Sequence, residues 1–284
     1  MDIKIKDLLQ EALGALKAAH VPGAKREAEE ILAFFLGKQK NELFFIWEEK
    51  VKAGLAKKIR RAVQRRAERE PLGYILGSLP FYNVQLQVSR SVLIPRFETE
   101  YLADLIVQRL KKSTLKGKVL FDLCTGSGAL AIALKKALPN LKVFASDLSQ
   151  RALQLARKNA LSNGVEVVFL CGDLFRPFGK KKADFIVANP PYVAEKELKS
   201  LPPEVLFEPK KALFGGRDGF LFYRRLARAL GEKGAFLKSG GQLFLEIGAF
   251  QGKRVAEIFS KKGFKGRILR DLSGRERFFF IEKQ

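Results

Sequence analysis

The sequence predicts an α/β fold preceded by a small helical domain. Three patterns carry this expectation: apolar residues at helical spacing through the first 70 positions, a short alternating stretch near residue 84, and apolar strands separated by helices from about residue 100 onward. At 284 residues the chain is long enough for two domains. We expect a helical domain over residues 1–72, a β-hairpin linker over 73–98 and a larger α/β domain over 99–284.

In the helical part, Ile5, Leu8, Leu9, Ala12, Leu13 and Leu16 share one helix face, and Val21-Pro22-Gly23 breaks the run. Ala28, Ile31, Leu32, Phe35 and Leu36 form a second stripe that ends near Gly37. A third helix, from about Leu55 to Glu68, stops before Pro71 and carries Lys58, Arg61, Arg65 and Arg69 on one stripe. Val84, Leu86 and Val88 then alternate with polar residues as a half-exposed strand does, and Ser91–Ile94 is the expected hairpin partner. Beyond residue 100 the expected strands lie at 119–122, 143–147, 167–170, 185–188, 243–247, 268–269 and 278–281. Helices are expected at 129–138, 150–161, 221–230 and near Val255. Short apolar strands between helices imply a mainly parallel sheet covered on both faces, with ligands bound beyond the carboxyl ends of the strands.

Composition narrows the chemistry. The single histidine, His20, lies in the helical part, which excludes a central Ser-His-Asp or Cys-His triad and any multi-histidine metal site. Cys124 and Cys171 make no disulfide framework and no CxxC pair. Both are expected as small buried packers with one strand between them in a doubly wound order, about 9–10 Å apart and too far for a bridge. The start lacks a signal-peptide core, and stretches such as Leu43–Trp47 are far too short to span a membrane, so a cytoplasmic protein without membrane contact is expected. The net charge of +23 is spread along the chain rather than gathered in a tail. Such a field favours encounter with acidic protein, the ribosome or other nucleic acid, and equally describes a solvated lysine-rich surface. No coiled coil is present, and a monomer is the default expectation.

The strand ends carry the motifs. Asp122-Leu123-Cys124-Thr125-Gly126-Ser127-Gly128 closes the first sheet strand and opens a helix. Asp147 ends the next strand, where a carboxylate can accept both ribose hydroxyls, and Asp173-Leu174 follows the third, placed to meet an adenine amino group. Together they read as a nucleoside-cofactor site. Gly126-x-Gly128-x-x-Ala131 also fits a dinucleotide fingerprint, and a Gly-rich turn alone is a weak signal. Asn189-Pro190-Pro191-Tyr192 follows the fourth strand and is the most specific motif in the chain. The Asn189 side-chain oxygen and the Pro190 carbonyl can accept both protons of a planar NH2 group, and Tyr192 can lie against its face. That suits methyl transfer to an amide or exocyclic amine, whose delocalised lone pair needs acceptors for the charge that develops on N–H. Neither metal nor histidine is required.

Together these residues resemble a Rossmann-like class I S-adenosylmethionine-dependent methyltransferase. Arg69–Gly77, Phe81-Tyr82, Val92–Glu100, Asp218–Tyr223, Leu245–Gly248 and Asp271–Arg277 narrow the resemblance to the HemK family, glutamine-N5 methyltransferases of peptide chain release factors. The resemblance covers nearly the whole chain. It implies S-adenosyl-L-methionine as cofactor, the glutamine of a Gly-Gly-Gln loop as substrate, and an N-terminal domain that docks the release factor. By position, Asp122, Cys124–Gly128, Asp147, Asp173 and Leu174 correspond to cofactor contacts. Asn189 corresponds to the bridge between cofactor and substrate, and Pro190, Pro191 and Tyr192 to the grip on the glutamine amide. Three residues depart from the family pattern: Cys124 replaces a glycine, Phe97 a proline, and Leu174 an aromatic. Rival readings are the sister enzyme acting on a ribosomal protein, an adenine-N6 nucleic-acid methyltransferase using the same tetrapeptide, and a nucleoside-binding adaptor. Glu98-Thr99-Glu100 favours the release-factor branch, and no segment is large enough for a target-recognition domain.

Overall fold

The computed structural model describes residues 2–231 and 236–282. They form two compact units, Met1–Gly77 with Pro202–Phe207, and Ser78–Leu201 with Glu208–Gln284.

The first unit runs β1 (Ile3–Lys4), α1 (Ile5–Ala18), α2 (Ala24–Leu36), β2 (Lys50–Val51), α3 (Ala53–Ala67) and α4 (Leu72–Leu76). The helical stripes read from the sequence form its core, with Leu8, Leu16, Ala28, Ile31, Leu32 and Ile59 fully enclosed. Gly37, at φ 66°, closes α2 in the left-handed conformation that favours glycine. One member of α3 breaks the expected pattern: Arg66 is only 3% exposed. Its guanidinium donates to Glu27 and, at 3.0 Å, to Glu204, which also accepts from Arg69 at 2.8 Å. A buried cation must be matched by carboxylates, which is what holds Pro202–Phe207 in this unit. Arg65 grips Glu70 with two bonds of 2.7 and 2.9 Å, so two of the four stripe residues, Arg65 and Arg69, are engaged by carboxylates of their own unit.

The second unit contains β3 (Ser78–Phe81), β4 (Val84–Gln87), α5 (Phe97–Leu110), β5 (Val119–Leu123), α6 (Ala129–Ala137), β6 (Lys142–Asp147), α7 (Gln150–Ser162), β7 (Val168–Cys171) and β8 (Ala183–Ala188). It continues with α8 (Lys210–Leu213), α9 (Leu221–Gly231), β9 (Leu237–Glu246), α10 (Gly252–Ser260), β10 (Gly266–Arg270) and β11 (Glu276–Glu282). The hairpin differs from expectation. β4 pairs upstream with β3, Phe81 opposite Val84, and Ser91–Ile94 forms no strand, running from a turn at Ser91 through a bend at Val92 into irregular chain. Pro80 hid the true partner, because proline within an apolar run argues against a strand.

Seven strands make one sheet in the order β10-β11-β9-β8-β5-β6-β7. β9, β8, β5, β6 and β7 are mutually parallel, and β11 runs antiparallel to β9. All six residues of β8 are buried, as a central strand covered on both faces requires. One face packs on α5, α6, α7 and the hairpin around Leu102, Ile106, Leu134, Leu153 and Leu86. The other packs on α9 and α10 around Phe121, Phe178, Tyr223, Phe244-flanking Leu245 and Phe259. Phe121 and Phe178 stack at 4.0 Å. Strand order reverses between β5 and β8, so the crevice for a ligand opens at their carboxyl ends. No helix among the described residues is long and apolar enough to cross a membrane.

Candidate active site

Leu123 of β5 pairs with Ala188 of β8, so the Cys124–Gly128 loop and Asn189 leave the sheet from neighbouring strand ends. Neighbouring strands lie about 4.8 Å apart, which brings the two motifs to one crevice. β6 and β7 deliver Asp147 and the Asp173-Leu174 turn on the other side of β5.

The loop after β5 is organised by carboxylates. Asp122 Oδ2 accepts from Thr125 Oγ1 at 2.5 Å and from the Ala131 amide at 3.2 Å. Its other oxygen is buried and has no partner among the described residues. Burial pushes this carboxyl up to about 7. Asp147 accepts one amide on each oxygen, from Gly126 at 2.9 Å and Ser149 at 2.8 Å, which leaves a lone pair on each for a further donor. Burial raises its pKa as well. Gly128 caps α6 at φ 84°, and a Cβ there would stand 2.8 Å from Ile132. A Cβ on Gly126 would meet nothing within 4 Å, so that backbone faces open space.

Cys124 and Leu174, two of the departures noted above, both hold positive φ, 57° and 48°. This explains why glycine suits the first position: an L-residue there is strained by about 1–2 kcal/mol. Cys124 is half-buried rather than enclosed, and burial together with Asp147 and Asp122 pushes its thiol well above its ordinary pKa, which keeps it protonated. Cys171 is exposed, contrary to the expectation that both cysteines are buried. The Asp173 carboxylate is engaged through Oδ2 by Arg225 of α9 at 2.5 Å. Leu174 is buried, and its carbonyl accepts from Ser146 Oγ at 3.0 Å.

The second motif is held at both ends. Asn189 Nδ2 donates to Thr99 Oγ1 at 3.1 Å, and Thr99 donates to the buried Glu246 at 2.7 Å. Pro190 and Pro191 are buried, and burial pushes the Tyr192 hydroxyl up to about 12. The Tyr192 carbonyl accepts from Gln251 Nε2 at 3.0 Å. Gly215 lies so close that a Cβ would stand 2.7 Å from the Tyr192 Cα. Thr99, Glu246, Gln251 and Gly215 were not singled out for these roles from the sequence. Their positions are far from Asn189 along the chain, and the helix α5 that presents Thr99 was itself unassigned. The recurrence of Leu102, Ile106 and Leu110 was the available signal for that helix.

The donors and acceptors fit a bound nucleoside cofactor: an unpartnered buried carboxylate oxygen, a strand-end carboxylate with free lone pairs, and a glycine backbone facing open space. Comparison with known proteins agrees. Residues 98–217 match the methyltransferase small domain, and residues 7–77 match the PrmC N-terminal domain. A release factor glutamine methyltransferase of Thermodesulfovibrio yellowstonii is 41% identical, over 91% of this chain and 92% of that protein. One of Chlamydia trachomatis serovar L2 is 40% identical over 99% and 94%. A methyltransferase from Pyrococcus furiosus shares the fold, with a TM-score of 0.53 at 18% identity over 71% of this chain and 90% of that one. With this likeness running the length of both units, the chain belongs to the release factor glutamine methyltransferase family.

Proposed function

We propose that this protein transfers a methyl group from S-adenosyl-L-methionine to the N5 nitrogen of the glutamine in the Gly-Gly-Gln loop of a peptide chain release factor. The observation that carries the reading is the placement of Asn189-Pro190-Pro191-Tyr192 beside the Asp122–Gly128 loop at the switch point of the sheet. The relatives named as release factor glutamine methyltransferases supply the substrate class. When bound, the cofactor provides a methyl group activated on a sulfonium. Every other contribution comes from the chain. Asp147 accepts from ribose hydroxyls, Asp122, Cys124–Gly128, Asp173 and Leu174 line the remainder of the nucleoside site, and Asn189 reaches both ligands.

The Asn189 oxygen and Pro190 carbonyl accept the two amide protons, and Pro191 and Tyr192 hold the amide plane. Acceptors in these positions draw charge from the nitrogen as it attacks, so they stabilise the transition state more than the ground state. The N-terminal unit docks the release factor. We place the enzyme in the cytoplasm as a monomer, with its basic surface available for transient ribosome contact. Asn189→Ala tests the assignment. Transfer to release factor falls at least a hundredfold while circular dichroism is unchanged, in line with about 3 kcal/mol or more for one transition-state hydrogen-bonding group. Near-normal transfer refutes the assignment, and transfer to adenine in DNA instead selects the nucleic-acid reading.

A further inference from the structure

We infer that Thr99 and Glu246 are positioning residues that set the polarity of the Asn189 side chain, forcing its oxygen rather than its NH2 toward the incoming amide. The inference deepens the proposed reaction and rests on its assignment of Asn189 as an acceptor. A carboxamide is nearly symmetric in shape, and half a turn about its last bond exchanges oxygen for NH2. In a site that receives an NH2 group, the wrong orientation sets donors against donors. The two orientations must therefore be distinguished by something behind the asparagine.

Thr99 Oγ1 stands there, accepting from Asn189 Nδ2 at 3.1 Å. A threonine hydroxyl can donate as readily as accept, and by itself would tolerate either orientation. Its one hydrogen is committed elsewhere, to Glu246 Oε2 at 2.7 Å. Thr99 is 4% exposed and Glu246 1%, so the pair is shielded from solvent. An ionised carboxylate accepts only. The chain of donors therefore runs one way, from amide to hydroxyl to carboxylate. A protonated Glu246 gains a hydrogen that it can donate to Oγ1, which frees the threonine hydrogen for an Asn189 oxygen turned toward it, so the two orientations are no longer distinguished.

The surroundings of Glu246 bear on when this happens. Thr99 and Glu98 face it from α5, with Arg96 at the cap of that helix; Arg277 faces it from β11, and Tyr192 from the loop after β8. Tyr223 of α9 donates to the Glu246 carbonyl at 3.4 Å. Burial dominates and pushes the carboxyl up to about 7, against the Thr99 bond and the pull of Arg277 and Arg96, with Glu98 adding to the rise. Loss of the bias on Asn189 is therefore expected where Glu246 takes up its proton, near pH 7.

The test reads the amide directly. Asparagine side chains are labelled with 15N in the full-length enzyme, and the Asn189 signal is assigned by its loss in Asn189→Ala. We expect that signal to titrate with a midpoint near pH 7 in the wild type and Thr99→Ser, and to be pH-independent in Thr99→Val and Glu246→Gln. With S-adenosylmethionine and release factor saturating, Thr99→Val lowers kcat at least tenfold with the release-factor KM within threefold, and Thr99→Ser stays within threefold of wild type. Circular dichroism establishes that each variant is folded. A wild-type Asn189 signal that ignores pH overturns the relay. So does a Thr99→Val kcat within tenfold of wild type, or a Thr99→Ser as impaired as Thr99→Val, which would make Thr99 a packing residue. If the wild type methylates no release factor, the functional reading fails while the amide titration still decides the relay.

Discussion

Asp122→Asn should make the cofactor-free protein more stable, and increasingly so as pH rises from about 4 to about 7. Asp122 is 1% exposed, and only one of its oxygens is hydrogen-bonded among the described residues. Burial pushes its pKa up to about 7, from an ordinary value of 3.8. Between those limits the folded chain holds a proton that the unfolded chain has released. Stability therefore falls as pH rises through this window, by about 1.4 kcal/mol per pH unit and about 4 kcal/mol in all. The substitution keeps an oxygen to accept from Thr125 and Ala131 but carries no charge. Urea unfolding followed by circular dichroism at pH 5 and pH 8 measures the effect. The variant is already ahead by about 1–2 kcal/mol at pH 5, and its lead over wild type grows by about 2–3 kcal/mol more by pH 8. Glu246 is raised by burial in the same sense, and the comparison with wild type cancels its contribution. An equal difference between variant and wild type at both pH values refutes the reasoning. A carboxylate retained at such expense in stability is consistent with a role in holding the cofactor, and the variant should also bind S-adenosylmethionine more weakly by calorimetry.

Other outcomes follow from single contacts. Arg66→Ala leaves Glu27 buried without its partner and should destabilise the N-terminal unit by about 3–5 kcal/mol, read by loss of amide exchange protection in α3; unchanged protection contradicts it. Gly215→Ala drives a methyl group into the Tyr192 backbone and should lower kcat while leaving S-adenosylmethionine affinity within about twofold by calorimetry; full activity refutes the contact. Cys124→Gly removes a left-handed L-residue and should raise stability by about 0.5–1 kcal/mol, the relief being partly offset by glycine's chain entropy. A drop in melting temperature would count against strain at that loop.

What the sequence made legible follows from how strongly each feature is written locally. Buried parallel strands are continuous apolar runs, so β5 and β8 stood out, and the residues that follow them could be read as strand-end motifs. Asn189 after β8, and Asp147 at the end of β6, could be read as candidates this way. Long-range partners leave no such trace. Thr99 and Glu246 are 147 positions apart, and nothing in either neighbourhood announces their bond. Arg66 sits among arginines that reach solvent, and its burial depends on Glu204, 138 positions away. Pro80 disguised β3 by breaking the strand pattern. Cys171 was misjudged because it ends β7, which lies at the edge of the sheet, where a small apolar residue is not enclosed.

The central claim is the chemistry at Asn189, and its most direct test is to locate the methyl group. Release factor from the same organism is incubated with the enzyme and methyl-labelled S-adenosylmethionine, digested and sequenced by mass spectrometry. The account predicts one methyl on the glutamine of the Gly-Gly-Gln loop, absent when that glutamine is replaced and absent with Asn189→Ala. A methyl on any other residue, or one that persists after either substitution, would contradict it.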